Sequence, residues 1–286
     1  MSENRPPRLL LVGTAAYVGG MERIVVVLAR ELRARGWDVR AVFPASANAG
    51  ALVEWAAAQG VAAEISDAVP ELLGDHSLSK MRAFRSLVSG WRPDVVNIHY
   101  PGGHMAIKDI VAVRTAGRRH RLVATVHHPV YWHESGGRKK QMTRAAAMLC
   151  SAITVPANSV RGIMLEAGVP ASKVHVIANG VAAPAMRSSR TDARARLGVD
   201  ASAFVVASLC RLEEGKGVDD LIAAMATMPV GDDGPLLLAG GDGSMREQLT
   251  ALAQERLGER GRMLGRVAEG QALADLFAAA DVFALP

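Results

Sequence analysis

The chain has 286 residues, half of them hydrophobic and 21% charged, so it can bury a large core and exceeds one typical domain of roughly 100–150 residues. This composition excludes a disordered chain, and aromatic residues at only 4% argue against a stacking surface for single-stranded nucleic acid. The net charge is +5, with part of the excess concentrated in segments 114–121 (Arg114, Arg118, Arg119, Arg121) and 138–144 (Arg138, Lys139, Lys140, Arg144). Such segments suit an anionic surface, phospholipid or nucleic acid, and equally an ordinary solvated face.

No run of 18 apolar residues occurs, so no transmembrane helix is expected. The apolar start, Leu9-Leu10-Leu11-Val12-Gly13, dissolves into Gly19-Gly20 and Glu22-Arg23 without a cleavage site, and secretion is not expected. The two cysteines, Cys150 and Cys210, suit a reducing compartment rather than a disulfide framework.

Strands and helices alternate from the start. Leu9–Val12 reads as a strand and Met21–Arg35 as a helix, with Ile24, Val27, Leu28 and Leu32 on its apolar side. Strand Val39–Phe43, helix Ala51–Gln59, strand Val61–Ile65, helix Ser79–Ser89 and strand Asp94–Ile98 follow. Then come helix Met105–Thr115, strand Leu122–Val126, helix Gln141–Leu149, strand Ala152–Val155, helix Val160–Ala167 and strand Val174–Ile177. The pattern weakens between Gly180 and Ala201, which predicts a linker ending in a short helix near Ala193–Leu197. A second unit supplies strands Phe204–Leu209, Pro235–Ala239, Arg262–Leu264 and Val282–Leu285, with helices Val218–Met225, Met245–Leu257 and Ala272–Ala279. Ser244 and Glu247 predict a capping box for the middle helix, with Gly258 closing it. Repeated strand–helix order predicts parallel sheets covered on both faces, in two Rossmann-like halves whose ligands sit beyond the carboxyl ends of the strands. The cleft between two such halves is the expected site.

Arg211-Leu212-Glu213-Glu214-Gly215-Lys216-Gly217 lies between a strand and a helix. A helix N-terminus, a forked guanidinium and a compact ammonium suit a diphosphate, although such a turn in isolation is equally well a solvated charged loop. Leu236–Gly243 repeats the arrangement one unit later, and Gly241 and Gly243 would admit a ligand beside Arg211 and Lys216 or simply make a tight turn. Gly19-Gly20 opens the first helix without being a dinucleotide fingerprint, and no ATPase-type phosphate loop occurs. His127 closes a strand, where it would meet a sugar hydroxyl or developing charge, or be an ordinary loop histidine. His99, His104 and His133 raise zinc as an option, but the spacing is irregular and no acidic or cysteine cluster supports it, so no metal is expected. The acidic pairs Asp219-Asp220 and Asp232-Asp233 are explained by dipole compensation or solvation.

Across essentially its whole length the chain resembles the family 4 retaining glycosyltransferases, which have the GT-B fold. The resemblance rests on Tyr17–Arg23, Asp94–His99, Ala124–His127, Lys173–Val181, Arg211-Leu212 with Lys216-Gly217, Gly241–Gly243, Leu264–Val267 and Asp281–Pro286, in that order. It implies an acceptor-binding domain over 1–181, a linker over 182–200 and a donor-binding domain over 201–286. It implies transfer of a sugar from a UDP- or GDP-linked donor to a glycan or lipid-linked acceptor with retained anomeric configuration. No cofactor and no essential metal are implied. Arg211 and Lys216 would hold the diphosphate and His127 the transferred sugar. Gly19, Gly20, Gly241 and Gly243 would line the donor, and Arg266 would lie by the base. A cytoplasmic enzyme in cell envelope polysaccharide synthesis is expected, peripheral at the inner face of the membrane through the basic segments, without a nucleic-acid partner.

Cys210 stands where the family usually has glycine, and Ala178 and Ala182 replace a common proline and aspartate. The family's two donor-site glutamates would fall beyond Pro286, so the second domain is expected to be incomplete. Two alternatives follow: a non-catalytic GT-B remnant that binds a nucleotide or a partner, and a sugar-nucleotide epimerase.

Overall fold

The computed structural model describes residues 5–16, 18–47, 49–71, 77–102, 105–117, 120–128, 136–180, 187–229 and 234–286. Tyr17, His104, Arg118, Arg119, Pro129, His133, Asp232, Asp233, Val181 and residues 182–186 of the expected linker lie outside the described residues. The chain divides into two compact units, Met1–Gly180 and Val181–Pro286.

The first unit is a seven-stranded sheet. Its strands are β1 (Arg8–Gly13), β2 (Asp38–Pro44), β3 (Ala63–Ser66), β4 (Val95–Tyr100), β5 (Arg121–Val126), β6 (Ala152–Val155) and β7 (Val174–Val176), in the order β3-β2-β1-β4-β5-β6-β7. Every pairing is parallel. The helices are α1 (Gly20–Ala34), α2 (Ala49–Ala58), α3 (Leu78–Trp91), α4 (Ile107–Ala116), α5 (Gly136–Leu149) and α6 (Asn158–Glu166).

Alternate strand residues sort into two cores. Leu10, Val12, Val96, Ile98, Leu122 and Ala124 pack with Phe84 of α3, Ile110 of α4, Ala146 of α5 and Met164 of α6. Leu9 and Leu11 pack with Val25, Val26 and Ala29 of α1 and Leu52 of α2. Strands buried on both faces need no polar alternation, which is why they read as continuous apolar runs. Helix α1 differs from expectation. Its buried positions are Met21, Glu22, Val25, Val26 and Ala29, while Ile24 and Val27 are half-buried. Five consecutive apolar residues, Ile24–Leu28, leave the angle of the stripe open in sequence, and contact with the sheet decides it. Helix α5 also begins earlier than expected, so Arg138, Lys139 and Lys140 are helical.

The second unit is a four-stranded parallel sheet of β8 (Val205–Leu209), β9 (Leu236–Gly240), β10 (Gly261–Gly265) and β11 (Val282–Phe283), in the order β10-β9-β8-β11. It carries α7 (Arg190–Leu197), α8 (Val218–Ala226), α9 (Arg246–Leu257) and α10 (Gln271–Ala279). Residues 187–200, expected as the end of a linker, belong to this unit. Polar contacts fasten α7 to α10 and to the segment that follows it. Arg194, buried, donates to the Ala279 carbonyl at 3.2 Å, the Ala201 carbonyl at 2.6 Å and Asp281 Oδ2 at 2.8 Å. Asp275, also buried, accepts from Arg196 at 2.7 and 2.8 Å, from Ser188 Oγ at 2.6 Å and from Gln271 Nε2 at 2.7 Å.

The expected Ser244–Glu247 capping box does not form. Ser244 donates its hydroxyl to Glu213 Oε2 at 2.7 Å and its backbone N–H to Glu213 Oε1 at 3.3 Å, and the N-cap of α9 is Met245. A carboxylate held beside the turn by tertiary structure outcompetes one a helical turn away. Gly258 does close α9, at a φ of 57°.

Candidate functional site

Each sheet has one point where the chain reverses its direction of winding, and open α/β sheets bind ligands beyond the strand carboxyl ends at such points. In the second sheet it is β8, flanked by β9 and β11. The segment leaving β8 is Cys210–Gly217, and it carries Arg211 and Lys216 into the N-terminus of α8. Gly217, the N-cap of α8, has a φ of 68°, a conformation that only glycine adopts without strain. Arg211 is exposed and Lys216 half-buried, and neither side chain has a hydrogen-bond or ion-pair partner among the described residues. Asp219 and Asp220 occupy the first turn of α8, where carboxylates face the positive end of the helix.

The segment leaving β9 is bound to this one backbone to backbone. Leu212 N–H donates to the Asp242 carbonyl at 2.9 Å, and Met245 N–H donates to the Leu212 carbonyl at 2.9 Å. The two glycines are needed for that approach. A Cβ at Gly241 would lie 2.0 Å from the Cys210 carbonyl oxygen, and one at Gly243 would lie 2.3 Å from that of Leu212. Sequence assigned both glycines to ligand approach or a tight turn; the space a side chain would take is filled by the neighbouring loop. Gly241 N–H also donates to the Gly265 carbonyl at 2.7 Å, so exposed Arg266 leaves β10 at the same end of the sheet.

In the first sheet the reversal falls at β1, flanked by β2 and β4. Gly19 is the N-cap of α1, with no side-chain cap, and the space beside Gly20 is open. Thr14, just past β1, donates both its backbone N–H (3.2 Å) and its hydroxyl (2.9 Å) to the His99 carbonyl at the end of β4. His127, just past β5, stacks on His99 with ring centroids 5.2 Å apart, and His99 Nδ1 lies 2.9 Å from His127 Nε2. Burial pushes His99 down to about 3, helped by His127, and pushes His127 down to about 4. Both imidazoles are therefore neutral at pH 7. Among the described residues, no group of three metal-ligand side chains gathers at this rim or elsewhere.

Glu22 escaped the sequence reading. It sits in the first turn of α1, fully buried, and among the described residues neither carboxylate oxygen has a hydrogen-bond partner of ordinary geometry. Burial pushes its carboxyl up to about 7, against the pull of the Glu22 and Gly19 backbone N–H groups. Its spacing of three, four and seven residues from Val25, Val26 and Ala29 was the available signal, since it places an acid on the buried stripe.

The comparisons with known proteins agree with the two-unit organisation of the sequence. The Glycosyltransferase Family 4 pattern matches residues 18–183, more than half of the chain, and the Glycosyl transferases group 1 pattern matches residues 189–286. The chain belongs to the family 4 glycosyltransferases. It is 30% identical over 212 residues to a D-inositol 3-phosphate glycosyltransferase of Segniliparus rotundus, a match spanning 68% of this chain and 46% of that protein. The chain thus matches about half the length of this curated relative. Among solved structures, Anabaena HepE in complex with UDP is similar at a TM-score of 0.75 and 22% identity, over 97% of this chain and 73% of that one. Sucrose-phosphate synthase from Thermosynechococcus elongatus is similar at a TM-score of 0.70 and 18% identity, over 98% and 75%. The α/β fold with parallel sheets is that of GT-B glycosyltransferases.

Proposed function

We propose that this chain carries the donor-diphosphate and sugar-contacting machinery of a retaining glycosyltransferase. The reaction moves a sugar from a nucleoside diphosphate carrier to a glycan or lipid-linked acceptor. The observation that carries this reading is the pair of cations at the switch point of the second sheet. Arg211 and Lys216 stand beside a helix N-terminus without a hydrogen-bond or ion-pair partner among the described residues, the Glu213 carboxylate acting on Arg211 only through longer-range attraction. The similar HepE structures, in complex with UDP and with UDP-glucose, favour a uridine carrier over a guanosine one.

In this reading the bond between the anomeric carbon and the diphosphate oxygen breaks while a bond to the acceptor oxygen forms on the same face. The acceptor proton passes to the leaving phosphate, so no side-chain base is required. Arg211 and Lys216 stabilise the charge that grows on the diphosphate, the kind of term that contributes most to catalysis. Neutral His127 hydrogen-bonds the transferred sugar. Gly19, Gly20, Gly241 and Gly243 present backbone near the donor, and Arg266 lies by the base. The reaction needs no metal. The exposed cations of α5, Arg138, Lys139 and Arg144, lie beside exposed Met142 and Met148, a surface that suits peripheral docking on anionic lipid at the cytoplasmic face. A role in cell envelope polysaccharide synthesis accords with a lipid-linked acceptor.

The test is a panel of UDP- and GDP-sugars, scored for binding to the 286-residue chain and for transfer by the protein that carries it. Binding of one nucleotide sugar, lost in Arg211→Ala and Lys216→Ala, is expected. Equal binding by both variants and the parent would sink the assignment.

A further inference from the structure

His127 is one of a pair, and its partner has no role in the reaction as written. The rings of His99 and His127 stack with an interplanar angle of 25°, and Nδ1 of one faces Nε2 of the other at 2.9 Å. One proton lies between them, because two lone pairs or two N–H groups at that distance repel. The two possible donors leave different residues of the bond behind. If His127 donated from Nε2, neutral His99 would carry its own proton on Nε2, which is fully buried and has no hydrogen-bond partner among the described residues. If His99 donates from Nδ1, only a lone pair is stranded there. Along the main chain, orphaned buried N–H groups are rarer than under-satisfied acceptors, and stranding the imidazole N–H is disfavoured by the same desolvation cost. Backbone contacts fix both residues for the task, since Thr14 binds the His99 carbonyl twice, β4 and β5 set His99 opposite Thr125, and the His127 N–H donates to the Tyr100 carbonyl at 3.0 Å.

We propose that His99 is a positioning residue that donates from Nδ1 to His127 Nε2 and holds His127 as the neutral tautomer with its proton on Nδ1. Nδ1 is then the one ring nitrogen His127 can offer a ligand, and it offers a donor. His127 thereby hydrogen-bonds an oxygen of the sugar or phosphate and does not serve as a proton acceptor. Adding a second proton to His127 would set N–H against N–H, which acts in the same direction as the burial that keeps both rings neutral. The tautomer stands on the geometry alone; its catalytic consequence rests on the sugar-contact role given to His127 above.

The test is two-bond 1H–15N correlation spectroscopy of the 15N-histidine-labelled chain, with His127 assigned by its loss in His127→Ala. The expected spectrum shows His127 neutral and protonated on Nδ1 from pH 7 down to about pH 5. In His99→Asn, which keeps an N–H donor near the Nδ1 position, the pattern persists. In His99→Leu the proton moves to Nε2 in a measurable fraction. Turnover by the protein that carries the chain falls about tenfold in His99→Leu at unchanged donor KM, less than the roughly 10²–10⁴-fold of a group that itself transfers a proton because His99 acts only through His127, and returns in His99→Asn. A His127 protonated on Nε2, or titrating near 6.5, overturns the proposal, as does full turnover in a His99→Leu variant whose tautomer has moved. Should His99→Leu fail to fold, the parent and His99→Asn spectra still decide. Unchanged turnover in His127→Ala sinks the sugar-contact role instead, and leaves the tautomer result standing.

Discussion

The side chains beside the two switch points sit in sharply different environments. Among the described residues, Arg211 and Lys216 have no hydrogen-bond or ion-pair partner, and Arg211 feels only the longer-range attraction of Glu213. If they stabilise the leaving diphosphate, Arg211→Ala or Lys216→Ala lowers turnover by about 10²–10³-fold, as loss of a transition-state charge stabiliser does elsewhere. Steady-state rates with saturating donor check this. Glu22 has the opposite character, a buried carboxyl that folding makes hard to ionise. Its folded pKa, about 7 against an ordinary 4.5, means the folded chain keeps a proton the unfolded chain has lost. Its contribution therefore falls as pH rises from about 4.5 through 7, by about 3 kcal/mol in all, and is level above. His99 and His127 act the other way, with folded pKa values of about 3 and about 4; their contribution is lost as pH falls below the ordinary histidine value of 6.5. Glu22→Gln removes the first trend and leaves the second. Denaturation of this variant at pH 5 and pH 8 should show a larger gain in stability with pH than the parent shows. Equal gains would mean that Glu22 ionises freely in the folded chain. Sequence marked Arg211, Lys216 and His127 through their places after strands, but the state of Glu22 depends on which face of α1 meets the sheet.

At the scale of elements, two attachments hold the second unit together. The loops leaving β8 and β9 touch backbone to backbone, and glycine at 241 and 243 makes room for that. Gly243→Ala drives a methyl group into the Leu212 carbonyl and is expected to cost about 3 kcal/mol, the upper range for overpacking, since backbone cannot turn aside as a side chain does. Nucleotide binding by Gly243→Ala falls as well, because Arg211 adjoins Leu212. The α7–α10 attachment is polar. Arg196, with Ser188 and Gln271, holds the Asp275 carboxyl well below the usual carboxylate range. A carboxyl depressed in the folded state stabilises above its unfolded pKa, and that stability is lost as pH falls through the acid range. Asp275→Asn should cost about 2 kcal/mol at pH 7 and progressively less below pH 4, measured by chemical denaturation. A constant difference across that range would show that the carboxylate charge is not what binds α7. Composition alone made residues 182–200 look like a linker, because the partners of Arg194 and Arg196 lie some eighty residues later in the chain.

At the scale of the whole molecule, the proposed docking on anionic lipid predicts co-sedimentation with anionic vesicles at low salt. Binding should weaken as the screening length shrinks toward about 8 Å at physiological ionic strength, and be reduced by joint replacement of Arg138 and Lys139 with Ser. Equal sedimentation with neutral vesicles would exclude a role for these charges. Among the described residues, no helix is long and apolar enough to cross a membrane. The alternation of apolar runs with amphipathic segments determined by itself the α/β class, nearly every element and the family. These are local or cumulative properties, carried by strand burial on two faces and by short turn motifs in order. The tertiary structure decided what depends on strand order. It placed the switch points at β1 and β8 and set His99 against His127 across neighbouring strands. It gave Ser244 to Glu213 instead of Glu247 and turned Glu22 into the core. Each of these is a contact between residues distant in the chain or a choice between faces of one helix, and neither is written in the local pattern that specifies the elements.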